Sequence, residues 1–416
     1  MAAPKLALDG LKVADFSWFG AGPICAEHLA SYGATVVRVE SETRIDALRT
    51  IQPFARGKTG YNVSGYFNNF NAGKLGLTLN LNTEKSQELA QRLIAWADVF
   101  ITNFTPRVVE RWGLTYDKLS SINPQIIAAY APMQGYEGPH RDFLGFGQVL
   151  TPVTGYNHLS GFPNRPPVGL GTNYPDYVIN PGHTLVAILA ALRYRRRTGK
   201  GQHIECAQIE SSVCPLAPAI FDYTVNGRVQ ERSGNGLPYA APHGAFKCAP
   251  LSPGSSAPAD EQWIAIACFT DAEWQALVEA MGSPAWAADP KFAGQAGRKE
   301  HEPELEENVS AWTADKHPHE LMDDLQRRGV PAGVVQSARE MLADEHLKER
   351  GYYVYLDHPE AGRTAYDGPP FVLSKTPGKL RSPAPLLGQH TEQVCKEILG
   401  LSDDEIADLL VEGVLQ

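Results

Sequence analysis

Between residues 11 and 131 the chain alternates short apolar runs with stretches of helical periodicity, and this alternation restricts its fold more than any other feature. "LKVADF" (11–16), "ATVVRVE" (34–40), "LGLTLNL" (75–81), "DVFITNF" (98–104) and "QIIAAYA" (125–131) read as strands. "GPICAEHLASYG" (22–33) reads as a helix. A second helix follows Asn82 or Thr83 as N-cap, where Leu89, Leu93, Ile94 and Trp96 recur at helical spacing. Strands separated by helices pair in parallel, because a parallel pair needs a long crossover. The expected class is α/β with a mostly parallel, doubly wound sheet.

The first strand–helix–strand unit, "ADFSWFGAGPICAEHLASYGATVVRVES" (14–41), invites comparison with the dinucleotide fingerprint G-x-G-x-x-G. Gly20 and Gly22 supply its first half, but Cys25 stands at the third glycine. Pro23 suits the start of a helix; a pyrophosphate cradle does not follow. Trp18 and Phe19 place two aromatics ahead of the glycines, where a base or an acyl group can stack. Arg38 falls near the C-terminal end of the second strand, the edge at which open α/β sheets bind ligands. Two readings stay open for it: a rigid fork for phosphate oxygens, or a surface arginine paired with Glu40.

The 416 residues, 43% of them hydrophobic, suffice for a large core and more than one domain. A net charge of −10 argues against nucleic acid as a partner. No apolar segment is long enough for a membrane partner, and "MAAPKLALDGLKVADF" has no long apolar leader core, so a cytoplasmic location is expected. The six cysteines show no CxxC pairing and read as reduced, mostly buried thiols, and no metal site is expected. In "HPH" (317–319), Pro318 starts a helix and the histidines sit on its exposed first turn. A Gly/Pro-rich loop covers 155–176, a helix 182–197, and a composition shift marks 228–260. The expected organisation is a large domain over 1–225, a smaller one with its linker over 226–335, and a return to the large domain over 336–416.

The series "LDGLKVADFS…GPICAEHLASYGATVVRVE", "NAGKLGLTLNL", "TNFTPRVVERWGLTYDKL", "NPQIIAAYAPMQGYEGPHRDFLGFG", "YPDYVINPGHTLVAILAALRYRRRTGKGQHIE" and "LLGQHTEQV", in this order, resembles the family III CoA-transferases. The resemblance runs over residues 8–401. It implies a Rossmann-like large domain, a smaller α+β domain and an interlocked dimer. It also implies a CoA thioester as substrate, with no tightly bound cofactor.

By the residues alone Asp176 in "NYPDYVINPGH" is a helix N-cap or a turn residue. The resemblance implies that it is the nucleophile. Its carboxylate attacks an acyl-CoA to give a mixed anhydride and CoA thiolate. The thiolate then attacks the aspartyl carbonyl, releasing the free acid and leaving an aspartyl-CoA thioester, from which an acceptor acid takes CoA by the reverse steps. The glycine stretches "SGNG" (Gly234, Gly236) and "GLG" (169–171) can offer N–H groups to developing oxyanions. The resemblance further implies CoA contacts at Arg38, Lys74 and Arg111, at Asn103 and Phe104, and on the Ser17–Trp18 loop.

Related acyl-CoA racemases carry a catalytic histidine where this chain has Phe146, which favours transfer over racemisation. His183 and His243 are the substitutes to consider. A narrower resemblance points to the branch using succinyl-CoA as donor and benzylsuccinate or similar dicarboxylic or aromatic acids, with Trp18, Phe19, Tyr156 and Tyr174 as pocket aromatics. Some members pair with a homologous subunit, so a homodimer and a heteromer both remain open. Racemase or isomerase, and non-catalytic CoA-binding subunit, are the alternative functions.

Overall fold

The computed structural model describes residues 5–252 and 254–416. Strands β1 (Lys12–Asp15), β2 (Thr35–Glu40), β3 (Leu75–Thr78), β4 (Val99–Thr102), β5 (Ile127–Tyr130) and β6 (Gln202–Glu205) form one sheet in the order β3-β2-β1-β4-β5-β6. Every pairing in it is parallel. Strand order reverses beside β1, so the carboxyl ends of β1 and β4 diverge into the crevice where such sheets bind ligands.

The apolar runs are buried on both sheet faces, as parallel strands require. One face packs Val37, Leu77, Phe100 and Ala128 against the helix Glu84–Trp96, which Thr83 caps through Ser86 N–H. The other packs Val13, Val36, Ile101 and Ile127 against Ala21–Ser31 and Asn180–Thr198. The C-terminal helix Asp403–Val411 adds Ile406 to the first face, and a capping box of Ser402 and Glu405 fixes its start.

Two compact units emerge. The first comprises 1–157, 169–230 and 347–416, and includes the antiparallel hairpin β10 (Tyr353–His358) and β11 (Gly362–Asp367). The second comprises 158–168 and 231–346. Its antiparallel sheet β7 (His243–Lys247), β8 (Trp263–Ala267) and β9 (Ala332–Val334) packs with helices around Trp274, Phe292, Leu305 and Leu325. β7 lies inside the stretch marked by the composition shift; with only Phe246 buried, "HGAFK" lacks a strong alternation signal. Pro318 opens the helix Pro318–Arg327. Among the described residues no helix is long and apolar enough to cross a membrane.

Candidate active site

Asp176 is set by the junction that precedes the long helix. Pro175–Ile179 forms one wide π-type turn leading directly into Asn180–Thr198, a geometry that recurs at functional sites. The Asp176 side chain is turned inward, and the residue is only 4% exposed. Its Oδ2 accepts a 2.7 Å hydrogen bond from the Gly147 N–H, while Oδ1 is buried without a hydrogen-bond partner. No lysine or arginine is paired with this carboxylate among the described residues. Burial pushes its pKa up to about 6, against the Gly147 N–H and the Asn180 side chain, which pull it down. The close approach of Gly147 is obligatory: a Cβ there would stand 2.6 Å from Asp176 Oδ2.

Three cavities of the first unit follow one another along this edge of the sheet. An outer one of about 40 Å³ is lined by Arg44, Asn80, Asn82, Arg111 and Trp112. Trp18, Phe104 and Arg44 also line the next, of about 530 Å³, which reaches Asn103, Met133, Phe146 and Asp176. A third, of about 90 Å³, holds Leu48, Ile51, Tyr66, Asn173 and Tyr177, and again touches Asp176. The Arg44 guanidinium sits 5.6 Å above the Trp18 ring, a cation–π contact.

The loop after β1 forms the common wall of these spaces, and buried polar groups hold it residue by residue. Asn103 grips Trp18 twice: its Oδ1 accepts the Trp18 N–H at 2.9 Å and its Nδ2 donates to the Trp18 carbonyl at 2.7 Å. Arg38 donates to the Ser17 carbonyl at 2.9 Å and pairs with Asp46. Asp46 in turn accepts the Phe19 N–H at 3.3 Å. Asp15 accepts from Ser17 N–H at 3.0 Å and from Lys74 Nζ at 2.9 Å. Lys74 Nζ also reaches Asn71 and the Pro23 carbonyl. Arg49 meets Glu40 with a bidentate fork at 2.8–2.9 Å and lies over the Phe67 ring. Burial alone would raise the Asp15 and Glu40 carboxyls, yet Lys74 and Arg38 hold Asp15 low, and Arg38 and Arg49 hold Glu40 low.

The residues singled out from sequence therefore divide. Asp176, Trp18, Asn103 and Phe104 line the large cavity, and Arg111 lines the outer one. Arg38 and Lys74, expected at the nucleotide, are 0% and 1% exposed and spend their donors on protein acids and carbonyls. Ser17 is likewise buried, with its hydroxyl given to Asp15. These three support the loop and line none of the three cavities. The N–H groups expected of Gly234 and Gly236 are already bonded, to the Gly161 and Ser233 carbonyls within the second unit. The N–H beside Asp176 in the first unit is that of Gly147, an amide with no side-chain signature. His183 Nδ1 contacts the Ile179 carbonyl and His243 Nδ1 the Asn235 carbonyl; neither histidine lines the three cavities. Of the expected pocket aromatics, Trp18 and Phe19 line the large cavity, while Tyr156 and Tyr174 line none of the three. Arg44 went unread in the sequence; its only signal was a second arginine six residues past Arg38, beyond the carboxyl end of β2.

Residues 8–391 of the chain match the family model of CoA-transferase family III. The chain belongs to that family. A succinyl-CoA–D-citramalate CoA-transferase of Chloroflexus aurantiacus is 32% identical over 413 residues, covering 99% of each chain. The beta subunit of a succinyl-CoA–L-malate CoA-transferase from the same organism is 35% identical over 415 residues, covering 99% of this chain and 98% of that one. A crystal structure of a CAIB/BAIF family protein from Brucella suis superposes with a TM-score of 0.85 at 30% identity, covering 95% of this chain and all of that one. The enzyme is thus a family III CoA-transferase, a class whose substrates are CoA thioesters.

Proposed function

We propose that this CoA-transferase moves CoA from succinyl-CoA to a dicarboxylic acid through covalent catalysis at Asp176. The observation that carries the reading is the carboxylate itself: buried, unpaired, with its pKa raised to about 6, and lining both the large and the small cavity. A carboxylate stripped of water and of counter-charges is a stronger nucleophile than one in solvent, and still ionised at neutral pH.

Arg44 and Arg111 at the outer cavity supply cations for the nucleotide phosphates, and Trp18 and Phe104 flank the passage to the large cavity, which has room for the pantetheine arm. The small cavity receives the acyl group. Asp176 attacks the thioester carbonyl; the C–S bond breaks and CoA leaves as thiolate. The thiolate attacks the aspartyl carbonyl of the anhydride, the C–O bond to the acyl group breaks, and the first acid departs. The acceptor carboxylate attacks the aspartyl carbonyl of that thioester, the C–S bond breaks and a second anhydride forms. The thiolate then attacks the acceptor's acyl carbonyl, the C–O bond to Asp176 breaks, and the new CoA thioester and the free Asp176 carboxylate result. Thioester is exchanged for thioester, so the balance needs no ATP and no metal. The Gly147 N–H holds Asp176 in place during these steps. Arg38, Lys74 and Ser17 act as positioning residues for the Ser17–Phe19 loop.

Two relatives act on succinyl-CoA with citramalate or malate, which supports succinyl-CoA as donor and a dicarboxylic acceptor. The aromatic lining and the narrower resemblance add benzylsuccinate as an aryl-substituted candidate of the same class. Racemisation is disfavoured because Phe19 and Phe146, facing the cavities beside Asp176, cannot carry a proton. Possession of Asp176 argues for a catalytic chain rather than a silent CoA-binding subunit. One relative is a beta subunit, and Val186, Phe221 and Val225 are more than 60% exposed. Both features support assembly with a second copy or a homologous chain, interlocked as the family resemblance implies.

Asp176→Ala and Asp176→Asn, assayed for CoA transfer from succinyl-CoA to a panel of dicarboxylic acids, test the reading. Turnover is expected to fall on the order of 10³-fold or more while CoA binding persists. Full turnover in either variant contradicts it.

A further inference from the structure

The large and small cavities meet at a partition of four residues, since Phe19, Gly20, Phe146 and Asp176 line both. Asp176 is the reactive edge of this partition. Its body is aromatic: the Phe19 and Phe146 rings stack with centroids 5.1 Å apart and planes 8° from parallel. Gly20 fits because it has no side chain; a Cβ there would sit 3.3 Å from Asp176 Cβ and 3.1 Å from the Tyr177 ring.

The two rings are held unequally. Phe19 has φ of +58°, a conformation rare for a bulky residue. Its N–H is bonded to buried Asp46, which Arg38 pins from the other side, and its ring joins the Leu48 and Phe67 cluster. Phe146 lies 39% exposed at the mouth of the helix Gly147–Val153, its ring resting on that of Phe19. One half of the stack is fixed to the buried frame; the other half is a loop side chain one residue from the N–H that holds Asp176.

We propose that the Phe19–Phe146 stack is the specificity-determining element of the acyl site. It closes the small cavity at a depth suited to short unbranched or hydroxylated dicarboxylic acids and shuts out an aryl substituent. Phe146 is the ring that sets the limit. Of the small cavity's other walls, Leu48, Tyr66 and Tyr177 are packed against neighbouring side chains, while Ile51 and Gln148 lie at the surface, so beside Asp176 the stack is the wall that an aryl group on the acyl chain meets. The inference rests on Asp176 being the acylated residue, and it chooses between the two acceptor classes named above.

The test measures kcat/KM with succinyl-CoA as donor and L-malate, citramalate or benzylsuccinate as acceptor, in the wild type, Phe146→Leu and Phe146→Ala. The wild type is expected to favour the two small acids. The ratio of benzylsuccinate to malate is expected to rise at least tenfold in Phe146→Ala, with Phe146→Leu between, a change typical of pocket-size discrimination. A ratio that stays constant overturns the proposal, whether the rates hold or fall in parallel, and so does a wild type that prefers benzylsuccinate. Hydroxylamine trapping in each variant separates this from the underlying reading. A hydroxamate at Asp176 with an unchanged ratio refutes only the partition, whereas its absence in the wild type refutes the nucleophile.

Discussion

Two sets of buried carboxylates lie within one short stretch of the sheet edge, and they are treated in opposite ways. Asp15, Glu40 and Asp46 are each matched to a buried cation drawn from Arg38, Arg49 and Lys74. Asp176 has a backbone N–H and no cation. Ions buried in pairs give structure, because removing either member strands the other. An ion buried without a partner is costly to folding and available for reaction. The contrast separates the residues that build this site from the one proposed to react in it, although as acidic residues of the sequence they look alike.

The largest effect expected is on turnover. Asp176→Ala should lose on the order of 10³-fold or more in steady-state transfer, whereas Arg38→Ala, once folded, should retain the Asp176 chemistry. A comparable loss in Arg38→Ala without loss of folded protein would erase the distinction. Second comes stability. Arg38→Ala strands Asp46, and Lys74→Met leaves Asp15 with only Arg38 at 3.8 Å; each should cost about 3–5 kcal/mol in chemical denaturation, the first the more, and a cost below about 1 kcal/mol would show that the network is solvated.

The third is a difference in sign with pH. Asp176 has a folded pKa of about 6, above its ordinary 3.8. The folded state therefore holds its proton more tightly, and stability falls as pH rises from about 4 to about 6. Asp15 and Glu40 are held low, so their contribution is present above their ordinary values and is lost only as pH drops below about 4. Asp176→Asn should accordingly stabilise the protein at pH 8 by up to about 3 kcal/mol, with the gain gone by about pH 4. Thermal or urea unfolding across that range reads it directly, and a gain that grows toward low pH would have the wrong sign. The same ionisation should give kcat/KM an acid limb near pH 6.

The smallest effect concerns the exposed cations. Arg44→Ala and Arg111→Ala should raise KM for the CoA substrate by about fivefold or less, in a salt-dependent manner, with kcat unchanged. A change in kcat would place them closer to the chemistry than the outer cavity does.

The parallel sheet was legible because β1 to β5 are apolar runs buried on both faces, and caps such as Thr83 and Ser402 mark their helices. The second unit was less so. β7 carries one buried apolar residue, and the contribution of 158–168 reaches that unit across more than sixty residues of intervening chain. At the site, Asp176, Trp18, Asn103, Phe104 and Arg111 could be named from motif order. The burial of Arg38 and Lys74 could not, since Asp15 and Asp46 gain their meaning only when folding brings them to those cations. Backbone donors such as Gly147 N–H leave no mark on side-chain pattern.

The central claim is that Asp176 becomes acylated during turnover. Incubating the enzyme with succinyl-CoA, quenching with hydroxylamine and mapping peptides by mass spectrometry tests it most directly. A hydroxamate at Asp176 that requires the thioester and disappears in Asp176→Asn is the predicted result. Unmodified Asp176 in an enzyme that is turning over, or a hydroxamate on another carboxylate, contradicts the account.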